Sequence, residues 1–436
     1  MTFPLTLLFI WLIFWRPQEW LLPWLYGWPL LDIIVYGALL SLAVEVQQGV
    51  VRFPKTPAFL LAVGLWFSTL MSHIAHGYFK GMMDTLPETF KICFFLALIL
   101  VVVDRIGRLR AVINILVLAG VIMAVDALVQ YNTGTGFTGS KPLVYYYAFK
   151  DKVITQTQFL GIFSDPNDLG QFLVACIPLG FAATKRFGIA GFLLAALLAW
   201  LYTAALLTTN SRGAMIGAFA MGGFLLFLRL PARWVPYVAS LALVGALAAC
   251  GVWGGQLLDE SARDRVVFWG LANTAFKSFP LFGGGFGMFA EITNTNRAAH
   301  NAFVNCYVEL GIFGYWFWFS TMALAFIGCY RTRVPFRRPR NEAQAYLKRV
   351  AGCCMASMAG FAASAYFLTR AYVFPMFILF GLLNVVPVIA QRYLPEDHPP
   401  LISWRRDVFV SGTISSLLSI TYVYVSILLL NRAYGG

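Results

Sequence analysis

Hydrophobic residues occur in long uninterrupted runs that are separated by short polar segments. Most runs contain the roughly 17–25 residues that an α-helix needs to cross a bilayer, and none alternates as the strands of a membrane barrel do. The pattern therefore predicts one polytopic, all-α transmembrane domain over 1–436, a bundle of about 12 or 13 helices. The runs lie at 4–15, 29–46, 57–76, 89–103, 111–129, 168–184, 188–208, 213–230, 234–254, 302–330, 350–368, 371–391 and 408–430.

Composition and charge exclude a soluble protein. Of 436 residues, 60% are hydrophobic and only 12% are charged, whereas soluble domains have about 25% charged residues. The net charge of +13 could suggest nucleic-acid binding, but seven basic residues lie with one acidic residue in the single loop 331–349. Short basic loops remain in the cytoplasm. The charge therefore indicates orientation rather than a nucleic-acid partner, and it predicts that the two longest loops, 131–167 and 255–301, lie together on the outer side.

The cysteines and histidines give no sign of a structural metal site. All seven cysteines lie inside or at the inner ends of hydrophobic runs, and no Cys-x-x-Cys or His-x-x-x-His spacing occurs. We therefore predict no disulfide framework, no metal centre and no cofactor.

The outer loop 255–301 contains a predicted amphipathic helix followed by a glycine-rich turn. One face of a helix over 263–279 is apolar, and the other carries Gly270, Asn273, Thr274 and Lys277. Such a helix is typical of one that lies on the membrane surface. Four of the five residues at 283–287 are glycines. They include Gly284 and Gly285, and they let the backbone approach a substrate closely or simply form a tight turn.

Two arginines, Arg263 and Arg265, lie in the first turn of this helix, where the macrodipole disfavours cations by about 0.3–1 kcal/mol. A bound anion would reverse that penalty, because free backbone N–H groups and guanidinium groups together hold phosphates. Arg265, beside the apolar start of the helix, is the stronger candidate, and we expect Arg263 in solvent or in a supporting role. The alternative for both is an ion pair with a neighbouring carboxylate or a lipid headgroup.

A third cation lies at the start of a second helix on the outer side. Arg212 follows Asn210 and Ser211, either of which can cap that helix. A single arginine here could merely extend its side chain to the interface. With Arg265, however, it would match the two negative charges of a diphosphate diester, so that no divalent metal is needed.

His300 is the histidine that lies in an outer loop beside a polar residue, Asn301, at the start of a membrane helix. A helix N-terminus and nearby arginines disfavour the imidazolium, which would leave a neutral ring able to accept a proton. A capping or headgroup-binding histidine is the alternative. His73 and His76 are predicted to anchor a helix end at the interface.

The acidic residues on the outer side have no assigned catalytic role. Asp165 and Asp168, in the segment 164–168, resemble a metal motif, but Asp-Pro-Asn at a helix start is better explained by capping. Asp126 and Glu309 lie one or two turns inside the membrane, where either could support a polar cavity.

Four segments in this order resemble the signature of the O-antigen ligase and O-antigen polymerase superfamily, most closely its ligase branch. They are 209–214 (TNSRGA), 278–287 (SFPLFGGGFG), 299–303 (AHNAF) and 309–314 (ELGIFG). The similar region covers about 190–330, and the other helices agree only in number and hydropathy.

This resemblance implies a bacterial inner-membrane enzyme with a periplasmic active site, similar to membrane glycosyltransferases of the C type. The donor would be an undecaprenyl-diphosphate-linked O-antigen glycan, and the acceptor a sugar hydroxyl of lipid A core, reached without metal. The family's essential arginines match Arg212 and Arg265, and its essential histidine matches His300. Such ligases often have an acidic residue in a later outer loop. Here that loop carries Arg370, a further candidate for diphosphate binding.

Three alternatives remain open. O-antigen polymerases use the same donor with a second lipid-linked glycan as acceptor, and protein O-glycosylation ligases use Ser or Tyr of a protein. About 12 helices and one dominant outer loop favour the ligase. A flippase for lipid-linked sugars would need charges along a central path, and the clustering of polar residues at the outer ends argues against it. Membrane lipids are the remaining expected partner.

Overall fold

The computed structural model describes residues 1–54, 56–147, 152–184, 188–234, 237, 260–295 and 298–434. These residues are mostly helical, as predicted. The longer helices, in chain order, are α1 (Thr2–Trp15), α2 (Leu30–Gln47), α3 (Pro57–Ile74), α4 (Phe79–Val102), α5 (Ile106–Thr133), α6 (Pro166–Thr184), α7 (Gly188–Thr208), α8 (Arg212–Phe227), α9 (Glu260–Ser278), α10 (Ala302–Arg333), α11 (Glu342–Ala365), α12 (Phe374–Gln391) and α13 (Thr413–Tyr434).

Short elements occur in the connections. The loop 131–167 contains an antiparallel hairpin that the sequence did not predict, formed by β1 (Leu143–Tyr147) and β2 (Lys152–Gln156). A π-helical segment, Trp404–Gly412, leads into α13. The remaining short helices are Pro17–Trp20, Pro23–Leu25, Gly161–Phe163, Ala232–Trp234 and Phe289–Ile292.

Among the described residues, eight helical segments are long and apolar enough to cross a membrane. Two further apolar helices, α1 and α8, are shorter. The predicted crossing at 234–254 lies almost wholly outside the described residues. The architecture is thus that of an all-α polytopic membrane protein.

Small residues bring α8 and α11 into close contact. A Cβ built on Gly217 in α8 would overlap Ser364 and the carbonyl of Gly360 in α11. Small residues at such contacts let membrane helices approach closely. Since α6 also packs against both helices, the first residues of α6 and α8 meet the last residues of α11 at one end of the bundle.

Helix α10 is interrupted at Gly311, whose φ of 65° and ψ of −170° are not helical. The glycine-rich loop docks into this break, and four backbone hydrogen bonds join the two segments. They run from Gly284 N to Val308 O (2.9 Å), from Gly285 N to Glu309 O (3.1 Å), from Ile312 N to Pro280 O (2.8 Å) and from Phe313 N to Leu281 O (3.0 Å). Each satisfies a polar group that an interrupted helix would leave unpaired in an apolar environment.

Two glycines permit this docking. A Cβ on Gly283 would overlap the backbone of Glu309, and a Cβ on Gly311 would overlap the carbonyl of Leu281. Both glycines also have positive φ, which costs glycine nothing. The loop therefore completes α10.

The predicted polar face of α9 is wrong at Gly270 and Asn273, which are buried, whereas Thr274 and Lys277 are exposed as predicted. Asn273 is buried: its Nδ2 donates to Tyr424 O (3.0 Å), and its Oδ1 accepts from the Tyr307 hydroxyl (2.6 Å). Leu271, which lies on the predicted apolar face, is 41% exposed. The reason is that α13 covers the side of α9 that carries Gly270 and Asn273. The helix also begins three residues earlier than predicted.

Candidate functional site

The turn before α8 places Arg212 at a helix start. Ser211 caps the helix, because its side chain accepts from Ala214 N (3.2 Å), and Arg212 is the first, exposed residue. The preceding residue, Asn210, has a left-handed φ of 49°. Its Nδ2 donates to Thr155 O in β2 (2.7 Å), so that the hairpin holds this turn.

The start of α6 lies against this turn. Asp165 acts as a cap, as predicted, since its Oδ1 accepts from Asn167 N (2.8 Å). The Asn167 Oδ1 in turn accepts from the Ser211 hydroxyl (2.6 Å). This bond joins the N-terminal ends of α6 and α8 directly beside Arg212.

Arg370, in the loop between α11 and α12, forms an ion pair with Asp168 in the first turn of α6. Its Nε donates to Asp168 Oδ1 (2.8 Å), and its Nη2 lies 2.6 Å from Oδ2. Burial acts to lower the pKa of Arg370, but the hydrogen bond and the charge of Asp168 outweigh it and raise the pKa above its ordinary value. The guanidinium predicted as a phosphate contact is thus bound to a carboxylate of the protein.

His300 lies in the turn before α10, and its backbone takes part in that turn. It has a left-handed φ of 48°, and its N–H donates to Thr369 Oγ1 (2.6 Å). The cap of α10 is Asn301, whose Oδ1 accepts from Phe303 N (3.0 Å) and Val304 N (3.2 Å). Asn301 is therefore the cap of α10. This finding does not support the alternative in which His300 caps the helix.

Arg265 lies one helical turn before Trp269, on the same face of α9. The Trp269 Nε1 donates to Ala299 O (2.6 Å), and its ring packs 5.9 Å from that of Tyr366 at the end of α11. Trp269 thus holds α9 against the residue that precedes His300. The side chain of Arg263 lies outside the described residues.

These contacts form a continuous series at one end of the bundle. It passes from the Arg212 turn through α6 and the ion pair to the loop at 369–370, and from there to His300. Arg265 lies one turn from the same series. An arrangement of cations, helix N-termini and an imidazole favours the binding of an anion and the acceptance of a proton.

Gly284 and Gly285 contact α10 rather than an open space in which their backbone could approach a substrate. Both backbone N–H groups donate to α10, so they are not available to hold an anion. Their role in the fold is to satisfy the carbonyls of Val308 and Glu309, which lie just before the break in α10.

Two histidines that the sequence assigned to the interface hold this glycine loop. The His76 Nε2 lies 2.7 Å from Gly283 O, and the His73 ring packs against Gly285, where an added Cβ would lie 3.2 Å from Nδ1. Phe286 N also donates to the Ser72 hydroxyl (3.0 Å). Polar residues at 72, 73 and 76 on one helix end were the only signal of this role in the sequence.

The buried acidic residues accept hydrogen bonds from their surroundings. Glu309 accepts from Asn305 Nδ2 (2.9 Å) in the same helix. Asp126 accepts hydrogen bonds from the segment 138–140. In the part of the chain that the structure describes, no group of three or more metal-binding side chains occurs.

Comparison with known proteins gives one informative result. A family model described as O-antigen ligase matches residues 196–319. The match includes α8, α9 and the interrupted part of α10, and therefore the positions of Arg212, Arg265 and His300. No curated protein matches the chain.

Proposed function

We propose that this chain, which a family model described as O-antigen ligase matches over residues 196–319, is a glycosyltransferase of the ligase branch of that superfamily. It transfers an undecaprenyl-diphosphate-linked glycan to a sugar hydroxyl of lipid A core, at the periplasmic face of the inner membrane. One observation carries most of the support: the contact series brings the Arg212 turn and His300 together at one end of the bundle, inside the matched region.

The proposed reaction is an inverting displacement. His300 removes the proton of the acceptor hydroxyl, the oxygen attacks the anomeric carbon, and undecaprenyl diphosphate leaves with its charge held by Arg212 and Arg265. A general base contributes about 10²–10⁴-fold to such a rate, and guanidinium groups stabilise the leaving group as its charge develops. The two arginines balance the diphosphate, so the proposal requires no metal. The lipid donor would enter sideways from the bilayer.

We assign positioning roles to the surrounding residues. Arg370, already paired with Asp168, fixes the loop that holds His300 instead of contacting phosphate. Asn210 and Asn301 shape the two helix starts. Tyr145 and Tyr146, exposed on the hairpin that holds the Arg212 turn, would line the path of the glycan.

The test is transfer from a synthetic polyprenyl-diphosphate glycan to purified lipid A core by purified protein, with a chelator present. We expect His300→Asn to reduce kcat by about 10²–10⁴-fold. Asparagine accepts left-handed φ, so this variant removes the base and preserves the turn. Arg212→Ala and Arg265→Ala should each reduce kcat by roughly 10²-fold or more, while Lys277→Ala, an exposed cation on the same helix as Arg265, should not.

Each other outcome has a definite reading. Undiminished transfer in His300→Asn would remove the general base from the mechanism, and loss of transfer with chelator would refute metal independence. If lipid A core is refused and a second lipid-linked glycan is accepted, the protein is a polymerase. If only a protein is accepted, it is a protein O-glycosylation ligase.

A further inference from the structure

Three arginines cluster at the end of the bundle opposite the candidate site. Arg110 lies in the first turns of α5, Arg333 ends α10, and Arg349 lies in the first half of α11. The Arg110 and Arg349 guanidinium groups both lie over the ring of Tyr346, at 4.9 Å and 5.5 Å from its centre. Tyr346 itself is only 4% exposed, so the two cations meet at a buried aromatic ring.

Arg333 extends this cluster by one helical turn. Its Nε would lie 3.5 Å from a Cβ built on Gly352, three residues after Arg349 and therefore on the same face of α11. The Nη2 of Arg333 donates to Leu228 O (3.3 Å) at the end of α8. Four helices thus converge on three guanidinium groups.

Within the described part of the chain, no carboxylate balances the charge of this cluster. Among the described residues, no carboxylate forms an ion pair with Arg110, Arg333 or Arg349. The Nε atoms of Arg110 and Arg349 are buried, and neither has a hydrogen-bond acceptor among those residues. Glu342, one turn before Tyr346, is exposed and pairs with none of the three.

Other arginines at the same end do have carboxylate partners. Arg108 pairs with Asp104 (3.1 Å), and Arg331 pairs with the buried Asp407 (2.6 Å). Arginines near a membrane surface usually need no partner, because they extend into water. Buried donors without acceptors and like charges at one ring are costly, and a bound anion removes both costs.

We propose that Arg110, Arg333 and Arg349 bind a phosphate group, carried by an anionic phospholipid headgroup or by inorganic phosphate. Guanidinium groups suit phosphate because they donate two parallel hydrogen bonds. Basic pockets between membrane helices are known sites for phospholipid headgroups. This site is separate from the candidate active site and does not depend on the proposed function.

The first test measures binding to purified full-length protein in neutral detergent. The probes are phosphatidylglycerol and phosphatidylcholine in mixed micelles, and inorganic phosphate as a competitor. We expect Arg349→Gln to weaken phosphatidylglycerol binding about tenfold or more, as loss of a charged hydrogen-bond partner would. Arg338→Gln, an exposed arginine of the loop 331–349, should leave it unchanged. If inorganic phosphate competes with phosphatidylglycerol, the phosphate group alone is sufficient for binding. If it does not compete, the site requires the lipid headgroup. Either result supports the site.

Equal binding of the two lipids, or unchanged binding by Arg349→Gln, would overturn the proposal. A second measurement separates it from a purely structural role for Arg349. Without phosphate or anionic lipid, Arg349→Gln should raise the Tm, because it relieves repulsion, and added phosphatidylglycerol should stabilise the variant less than the parent. A variant that is less stable than the parent in both conditions would show that Arg349 only supports the fold.

Discussion

The turn before α8 and the turn before α10 have the same backbone design but are held differently. In each, a residue other than glycine has a left-handed φ, and the next residue caps the helix. The first turn is held through side chains: Asn210 reaches β2 and Ser211 reaches α6. The second turn is held through its backbone, by Thr369 and Trp269.

This difference corresponds to the position of the candidate functional residue in each turn. Arg212 follows the first turn, so the side chains of the turn can be used to fix its position. His300 occupies the left-handed position itself, where Thr369 accepts from its N–H and Trp269 donates to the carbonyl of the preceding Ala299. Strained residues at such positions commonly mark functional sites.

The largest effect should come from breaking the ion pair that links the two turns. Removing one partner of a buried pair costs about 3–5 kcal/mol, and less here because the Arg370 side chain is 41% exposed. We expect Asp168→Asn to reduce kcat by roughly 10²-fold and to lower the Tm. Asp32→Asn, which breaks the more exposed pair with Lys91, is the matched control and should change neither. Normal transfer in Asp168→Asn would mean that the two turns are independent.

Next in size is the loss of the hydroxyl that holds His300. Thr369→Val keeps the shape of the side chain but leaves the His300 N–H without this acceptor, at a cost of about 1–3 kcal/mol. We expect kcat to fall by about tenfold with little change in the KM for the donor, whereas Thr369→Ser should restore it. A change in donor KM alone would place Thr369 with substrate binding instead.

A smaller effect is expected at Asn210, where two substitutions separate backbone from side chain. Both Asn210→Gly and Asn210→Ala lose the bond to Thr155, but alanine also resists left-handed φ, by about 1–2 kcal/mol. The alanine variant should therefore have the lower Tm and the weaker donor binding. Equal behaviour of the two would show that the conformation of this turn does not position Arg212.

The smallest effect is expected at Trp269. Trp269→Phe keeps most of the packing and loses the bond to Ala299, at about 1 kcal/mol. We expect a few-fold loss of kcat. Trp200→Phe, an exposed tryptophan of α7, should have no effect. A loss as large as that of Thr369→Val would show that α9 contributes equally to the position of His300.

The helical class of the chain and the approximate positions of most of its long helices could be predicted, because hydrophobic runs are a local property of the sequence. Boundaries were less certain: α4 begins at Phe79, ten residues before the run that predicted it, since its first turns are polar. The hairpin at 143–156 was missed because its strands lie in a loop region with no alternating pattern strong enough to identify them.

Contacts between distant segments could not be predicted. Asp168 and Arg370 are 202 residues apart, and nothing local distinguishes Asp168, which forms an ion pair, from Asp165, which caps a helix. For the same reason the burial of Gly270 and Asn273 in α9 was not predicted, because it is decided by α13, which lies far along the chain. The glycine motif was recognisable, but its docking into α10 depends on a break that only the fold reveals.

The interruption at Gly311 also restricts how the protein can vary in length. The backbone N–H and C=O groups at the break pair in sequence with those of the glycine-rich loop. The insertion of a single residue into either segment would therefore shift all of these hydrogen-bonded pairs out of alignment. Insertions should therefore be tolerated only when the two segments change together. Two of these bonds attach the half of α10 that begins beside His300 to the loop, and the other two attach the half that follows the break.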